Sequence, residues 1–372
     1  MYLNLQQIRH KLLSLAGGAV DSIEKACVES WTVAPILRQT LEPAIYLPEN
    51  LELVTGSWEG TTVQEEIDFL KGLTKDHAST VAYRLRNVSV AGGALYSGRW
   101  KERLLVNPPA DSSRSAVKHV KSATVACSWS GNHFFGHWMT DDLTLHLAAE
   151  EIGEPVILKR KPYLHEPGYR QLLNIWCEQV DRAEFEELVI LRDFGQNSYK
   201  RQRYEILRRR IREQVKPVGA KRVLLSRGNL GQSRTIVNKE ELESYLGSQG
   251  FSIVEPEKLT PAEIAAQAMG ADIVIGVEGS QMSHAFMTMA DDAIICCLQP
   301  PTRFTATIKY YTDSLETLYA TLVGHPAPGG FRIDIDELKR MLDKIELELA
   351  HRSGRQAGPV FAGLSPTGSA SL

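Results

Sequence analysis

This sequence of 372 residues is short of the features that assign a protein at sight. Its five cysteines (Cys27, Cys127, Cys177, Cys296 and Cys297) are odd in number and form no C-x-x-C pair. Neither a disulfide framework nor a zinc site is expected, and a reducing cytoplasm fits. No apolar run approaches the roughly 20 residues that span a bilayer. The apolar patch near the N-terminus gives way to charge without a small-residue cleavage site, so any membrane contact is expected from the surface. A formal charge of −3 lacks the basic concentration that nucleic acid demands. The absence of a Walker loop counts against P-loop chemistry, and the absence of a G-x-G-x-x-G turn against an NAD-dependent enzyme. There is also no H-E-x-x-H pair. Asp334 and Asp336 have the D-x-D spacing of metal-dependent sugar transferases, but they open a C-terminal helix and read better as its cap, so no metal is expected.

What is present reads as α/β. The length predicts two domains, and an apolar content of 43% is enough for ordinary cores. The first 120 residues suggest a small antiparallel β element, with Gly92-Gly93 at a hairpin. From residue 121 the text alternates strand (123–128), helix (136–151), strand (155–158), helix (167–178) and strand (188–191), a βαβ pattern that implies a parallel sheet. A basic helix-like segment, 198–216, precedes Pro217 and Gly219, and its charged run reads as a solvated face. A second α/β unit starts at Lys221. Asn238 with Glu241, and Thr260-Pro261 with Glu263, resemble capping boxes. A helix-like run follows at 305–322. Leu338, Leu342, Ile345 and Leu349 mark an amphipathic C-terminal helix able to pack on the body or on a second subunit. Beyond Ser353 the composition predicts a mobile tail.

Three polar clusters stand at strand ends. In the first, residues 131–147, His137 and Asp141 lie one helical turn apart, and Asp141 points along an apolar face on an ideal helix. A carboxylate turned toward low dielectric is prepared as a general base, with His137 beside it. The plain alternative has Asp141 complementing the helix dipole and His137 satisfied structurally. Asp142 and His146 share another face, read as solvated. In the second cluster, Ser226-Arg227 closes a strand and Arg234 follows. Two guanidiniums suit a diphosphate, whereas the plain reading is two surface arginines in a loop. In the third, Glu278-Gly279-Ser280-Gln281 ends a strand and opens a helix, where backbone N–H groups can receive an anion. Glu278 suits a sugar or ribose hydroxyl, and His284 lies one turn after Ser280. The alternative is a simple turn with Ser280 as cap.

Together these clusters resemble glycosyltransferase family 61 in order and spacing over about residues 80–300. Asn132, Phe135, His137-Trp138 and Asp141 match one family pattern. Ser226-Arg227, Arg234, and Asn238 with Glu240 match a second. Gly250-Phe251, Pro256-Glu257, Leu259-Thr260, Ala271 and Gly276–Ser280 match a third. Glu278 stands where the family usually has histidine, and His284 stands near a common asparagine.

The resemblance implies a GT-B arrangement of two Rossmann-like domains facing across a cleft. An acceptor-side domain is expected over 1–200, with the N-terminal β and helical elaboration. A basic helix and linker would follow at 201–218, a donor domain at 219–325, and a helix and tail at 326–372. It implies an inverting, metal-independent transfer from a UDP- or GDP-linked sugar, a substrate rather than a cofactor, to a hydroxyl of a glycan or glycoconjugate. Arg227, Arg234, Glu278, Gly279, Ser280, Gln281 and His284 would hold the donor. Asp141 would be the base, with His137 as alternative base or orienting partner, and Asn132 would touch the acceptor. A sugar-nucleotide 2-epimerase and a non-catalytic nucleotide-sugar-binding protein share parts of this pattern.

Overall fold

In the computed structural model, which describes residues 5–108, 116–228 and 234–356, two sheets carry the architecture. The expected mobile tail lies almost wholly outside the described residues.

The first sheet has eight strands and joins the antiparallel and parallel elements that the sequence suggested separately. Its order runs Trp100–Arg103, Ala94–Ser97, Thr80–Ala91, Ala183–Arg192, Lys118–Val125, Pro155–Leu158, Glu178–Val180, with Glu29–Ala34 also paired to Thr80–Ala91. The last four in that order are parallel to one another, and Ala183–Arg192 meets Thr80–Ala91 antiparallel. The long strand Thr80–Ala91 is therefore the seam between the two halves.

The second sheet is entirely parallel: Ser252–Val254, Arg222–Leu225, Ile273–Val277, Ile294–Gln299, Leu318–Val323. Alternate residues of its strands enter two separate cores. Leu224, Ile275 and Cys296 meet the helices Lys239–Ser248 and Ile335–Gln356. Val223, Val274 and Ile295 meet Ser283–Thr288 and Thr307–Ser314. Both faces are covered, as parallel sheets require, and each buried Leu, Ile or Phe contributes about 1.5–3 kcal/mol. Strand order reverses between Arg222–Leu225 and Ile273–Val277, so the crevice beyond their C-terminal ends is where an open α/β sheet receives a ligand.

Three expectations need correction. The run 305–322 is not one helix: it is helix Thr307–Ser314, a turn with Glu316 at φ 55°, and strand Leu318–Val323. All six residues of that strand are buried, and a buried strand carries no alternation to distinguish it from buried helix. The basic segment is a helix, Ser198–Gln214, but its cations are not all solvated: Lys200, Arg203 and Arg208 are buried. Arg203 pairs with Asp193 at 2.9 Å, and Arg208 donates to the carbonyls of Phe286 and Met289. The same helix contributes Tyr204 and Leu207 to a core shared with Trp138, Leu143, Ala265 and Met287, and so ties helices of both sheets together. Asp142 and His146 are also buried, at 3% and 2% exposure, rather than solvated.

The capping signals held unevenly. Thr260 and Glu263 form the full capping box. Asn238 reaches the Glu241 side chain instead of closing one, and also bonds the backbone of Ile333. Asp334 does cap its helix, accepting from the backbone of Asp336 and Glu337 at 2.9 and 3.0 Å.

Candidate active site

Ser128 caps the short helix Trp129–His133 by accepting from the Gly131 N–H at 2.9 Å. The chain leaves helical geometry at Phe134, re-enters at Phe135, and then widens: the Leu143 N–H bonds the Trp138 carbonyl, five residues back. This π-turn over Trp138–Asp142 shifts the phase of everything after it, so Asp141 keeps the His137 neighbour expected from spacing but not the apolar face. The two adjacent carboxylates diverge. Asp142 turns inward and accepts from the Ser128 N–H and hydroxyl at 3.0 and 2.7 Å. A Cβ on residue 131 would sit 2.1 Å from its Oδ2, so only glycine leaves that carboxylate room.

Asp141 instead gathers a cluster. His137 Nδ1 lies 2.8 Å from Oδ2, and the Tyr311 hydroxyl donates to the same oxygen at 2.9 Å while standing 3.1 Å from His137 Nδ1. Lys200 Nζ, fully buried, donates to Oδ1 at 3.1 Å and to the Asp193 carbonyl at 2.7 Å. Burial opposes ionisation of Asp141, but the Lys200 charge and the His137 bond outweigh it and hold the carboxyl well below its ordinary range. Asp142 goes the other way: burial first, with the Asp141 charge adding, pushes it up to about 7 against the Ser128 hydrogen bonds. Among the described residues Nε2 of His137 meets no hydrogen-bond partner, and the side chain is 35% exposed.

The anion-binding candidates converge at the reversal point of the second sheet. Gly279 has φ +146°, and a Cβ there would lie 2.3 Å from Arg227 Nη1 and 3.0 Å from Arg234 Nη1. Both arginines therefore face the glycine turn. Arg227 donates to Gln281 Oε1 at 2.6 Å, and Gln281 Nε2 in turn donates to the Val277 carbonyl. Glu278 is a counter-ion: Arg303 Nη1 donates to its Oε2 at 3.1 Å, and Arg234 Nε is 2.9 Å from the same atom without hydrogen-bond alignment. Burial lowers Arg234 to about 10, partly offset by Glu278, so it remains a cation at neutral pH. The helix after Gly279 is a single tight turn, Ser280–Met282, followed by six residues. Its contribution is local backbone rather than a long macrodipole.

His284 is 1% exposed, bonded to the Tyr169 hydroxyl at 2.6 Å and packed on Phe135 and His165. Burial, with His165 adding, pushes it down to about 3, so it is neutral in the cleft wall. Asn132 is not brought to this cleft. It links Leu104 O and Arg160 Nε, each at 3.2 Å.

These groups line a cleft of about 680 Å³, with Arg227, Arg234, Glu278 and Gly279 on one side and Phe135 and His137 on the other. Gly136 makes the close approach between the two sides: a Cβ there would lie 3.1 Å from Ser280 Oγ. A second cavity of about 370 Å³ shares His137, Thr307 and Tyr311 with the first and contains Asp141. Lys200, Arg303 and Tyr311 were not foreseen. They come from elements remote in sequence, and no residue spacing marks them. His133 and His137 stand four residues apart, but His133 is occupied by Trp129 O and Val106 N. No group of three metal-capable side chains occurs among the described residues.

Residues 135–296 match the family model described as Glycosyltransferase 61. The match takes in His137, Asp141, Lys200, both predicted arginines and Glu278–His284, and ends before Arg303 and Tyr311. The chain carries a domain of that family and is a glycosyltransferase. No curated protein matches it.

Proposed function

We propose that this glycosyltransferase inverts, moving a sugar from a nucleoside diphosphate donor, UDP- or GDP-linked, to a hydroxyl of a glycan or glycoconjugate. The observation that carries the reading is the facing of two unlike walls: Arg227, Arg234 and Arg303 around the Gly279 turn, and His137 with its carboxylate opposite. In a GT-B arrangement, the second sheet and its helices (219–325) form the donor unit. The first sheet (1–200) forms the acceptor unit, 201–218 the connection, and 326–372 the terminal helix and tail.

The diphosphate would lie against the guanidiniums and the backbone of Gly279–Gln281. As the bond from C1 to the phosphate oxygen breaks, its electron pair passes to the diphosphate, where fixed cations stabilise the charge without requiring a metal. Glu278 keeps Arg234 and Arg303 aimed at the site in the absence of donor and is placed to meet a ribose or sugar hydroxyl. Neutral His284 supports Phe135 from beneath.

On the other wall the electrostatics favour His137 as base over Asp141. A carboxylate held far below neutrality by Lys200 is a weak proton acceptor, whereas an imidazole whose Nδ1–H is fixed by that carboxylate presents Nε2 as a free acceptor. The acceptor O–H proton would pass to Nε2 as its oxygen bonds to C1. Asp141 holds the tautomer, and Tyr311 and Lys200 hold Asp141.

No helix among the described residues is long and apolar enough to cross a membrane. We place the enzyme in the cytoplasm, touching a membrane from its surface through the helix Leu5–Gly17. The deciding experiment is calorimetry with UDP, GDP, CMP and dTDP on the parent and on Arg227→Ala. Binding of UDP or GDP that is lost in the variant supports the donor cleft, and equal affinity in both removes it. Conversion of the donor to an isomer without acceptor would replace transfer by epimerisation.

A further inference from the structure

The second cavity has a lining that the donor reading does not use. Trp129, 46% exposed, forms one wall. One face of its indole is backed by the His133 ring, at 4.5 Å between centroids and 28° between planes. That imidazole is itself pinned, Nε2 accepting from the Val106 N–H at 3.2 Å and Nδ1 lying 2.6 Å from the Trp129 carbonyl. The platform is therefore built before any ligand arrives. Around it stand Ser128 and Ser130 and the carboxylates of Glu102, Asp141 and Asp142. Arg192 is the one cation of the described lining, and Glu102 already engages it at 2.7 Å. Asp142 belongs to the wall: its Oδ1 takes both Ser128 donors and its Oδ2 is buried against Gly131.

We propose that this cavity is the acceptor subsite and that it takes an uncharged pyranose, stacked on Trp129, with its hydroxyls on the carboxylates. An apolar sugar face suits an indole, and hydroxyl donors suit acceptor-only carboxylates. Uronates, sugar phosphates and other anions would meet Glu102 and Asp141 with no unengaged cation to receive them. His137 lies in the linings of both cavities, so an acceptor seated here presents its hydroxyl to the same imidazole that faces the donor. The inference rests on the donor–acceptor reading above.

The test is saturation-transfer NMR in the presence of UDP, using neutral methyl pyranosides, a methyl glucosiduronate and a hexose phosphate as probes. Signals are expected for at least one neutral glycoside, reduced at least tenfold in Trp129→Ala and largely restored in Trp129→Phe, with calorimetric UDP affinity unchanged. Preference for the charged probes, neutral binding indifferent to Trp129→Ala, or no glycoside binding at all would each overturn the subsite. Loss of UDP binding by the parent would instead sink the donor cleft, and the glycoside arms would still decide the cavity.

Discussion

Tyr311 and Asp141 are 170 residues apart in the chain and 2.9 Å apart in space. That hydrogen bond joins a helix of the second sheet to the π-turn of the first, at the point where the two cavities share a wall. The phenol donates to the same Asp141 Oδ2 that His137 meets, and so fixes the carboxylate that orients the imidazole. Tyr311→Phe removes a hydrogen bond to a charged group, a loss of about 1.5–3 kcal/mol. It should lower kcat by roughly 10–100-fold with little change in donor KM, as measured by initial-rate kinetics. A change confined to KM would contradict the role.

Gly279 separates geometry from charge at the donor end. Gly279→Ala keeps every cation, but it strains the backbone at φ +146° and drives a methyl toward Arg227 Nη1. Affinity for UDP should fall about tenfold, near 1.4 kcal/mol, in calorimetry. Unchanged affinity would mean that the turn does not shape the anion site.

Much of this was legible in the sequence, and the failures have physical causes. Pro155–Leu158 and Arg222–Leu225 were readable because compact apolar runs stand between turn residues, and Thr260 announced its helix through the reciprocal Glu263 bond. Leu318–Val323 was not readable, since a strand buried on both faces has no period of two. The arginines and the glycine turn, which the structure brings together, could be singled out because strand ends concentrate ligand contacts in α/β folds. Spacing did pair His137 with Asp141, but the apolar face expected around that carboxylate was wrong, because a π-turn leaves no mark in residue spacing. Its partners Lys200 and Tyr311 arrive through tertiary packing alone.

Asp142 makes a pH-dependent prediction with a defined sign. Its folded pKa, about 7, lies above the ordinary carboxylate value, so the folded state binds the proton more tightly than the unfolded chain. Ionising it therefore costs stability progressively as pH rises from about 4 to 7. Asp142→Asn keeps an oxygen for the Ser128 donors and removes the titration. The Tm of the variant relative to the parent should rise between pH 5 and pH 8. A difference independent of pH would place the carboxyl outside that range.

The helix Leu5–Gly17 lies on the body with its polar side inward. Gln6 bonds Glu184 at 3.2 Å, and His10 lies 3.1 Å from the Arg99 carbonyl with its ring against Tyr96. Leu5, Leu12 and Leu15 face out at 78%, 61% and 76% exposure, beside Arg9 and Lys11, and the helix has no acidic residue. Apolar and cationic groups together suit an anionic bilayer surface. Phosphatidylglycerol vesicles should carry the protein in flotation, and Leu12→Glu with Leu15→Glu should abolish this. Equal flotation of the double variant would remove the helix from the contact.

Lys200 tests the electrostatic core of the site. With its ammonium 0% exposed and 3.1 Å from Asp141, replacement by methionine leaves a half-buried carboxylate whose largest remaining influence is burial, which favours the protonated form. In the parent, the depressed Asp141 pKa contributes stability that is present above the unfolded value of about 3.9 and is lost as pH falls through the folded value. In Lys200→Met the folded pKa should rise above the unfolded one, and the sign reverses: stability is lost as pH increases past about 4. Destabilisation near neutrality should stay below the roughly 3–5 kcal/mol of a fully buried pair broken on one side, because Asp141 is part exposed and keeps His137 and Tyr311. Activity should fall with it, since a protonated Asp141 no longer accepts the His137 Nδ1–H. Lys200→Arg keeps the charge and should retain the parent's pH slope even where packing suffers. Denaturant titrations of all three proteins at pH 5 and pH 8 read the slopes directly, and parallel slopes for parent and methionine variant would show that Lys200 does not set the state of Asp141.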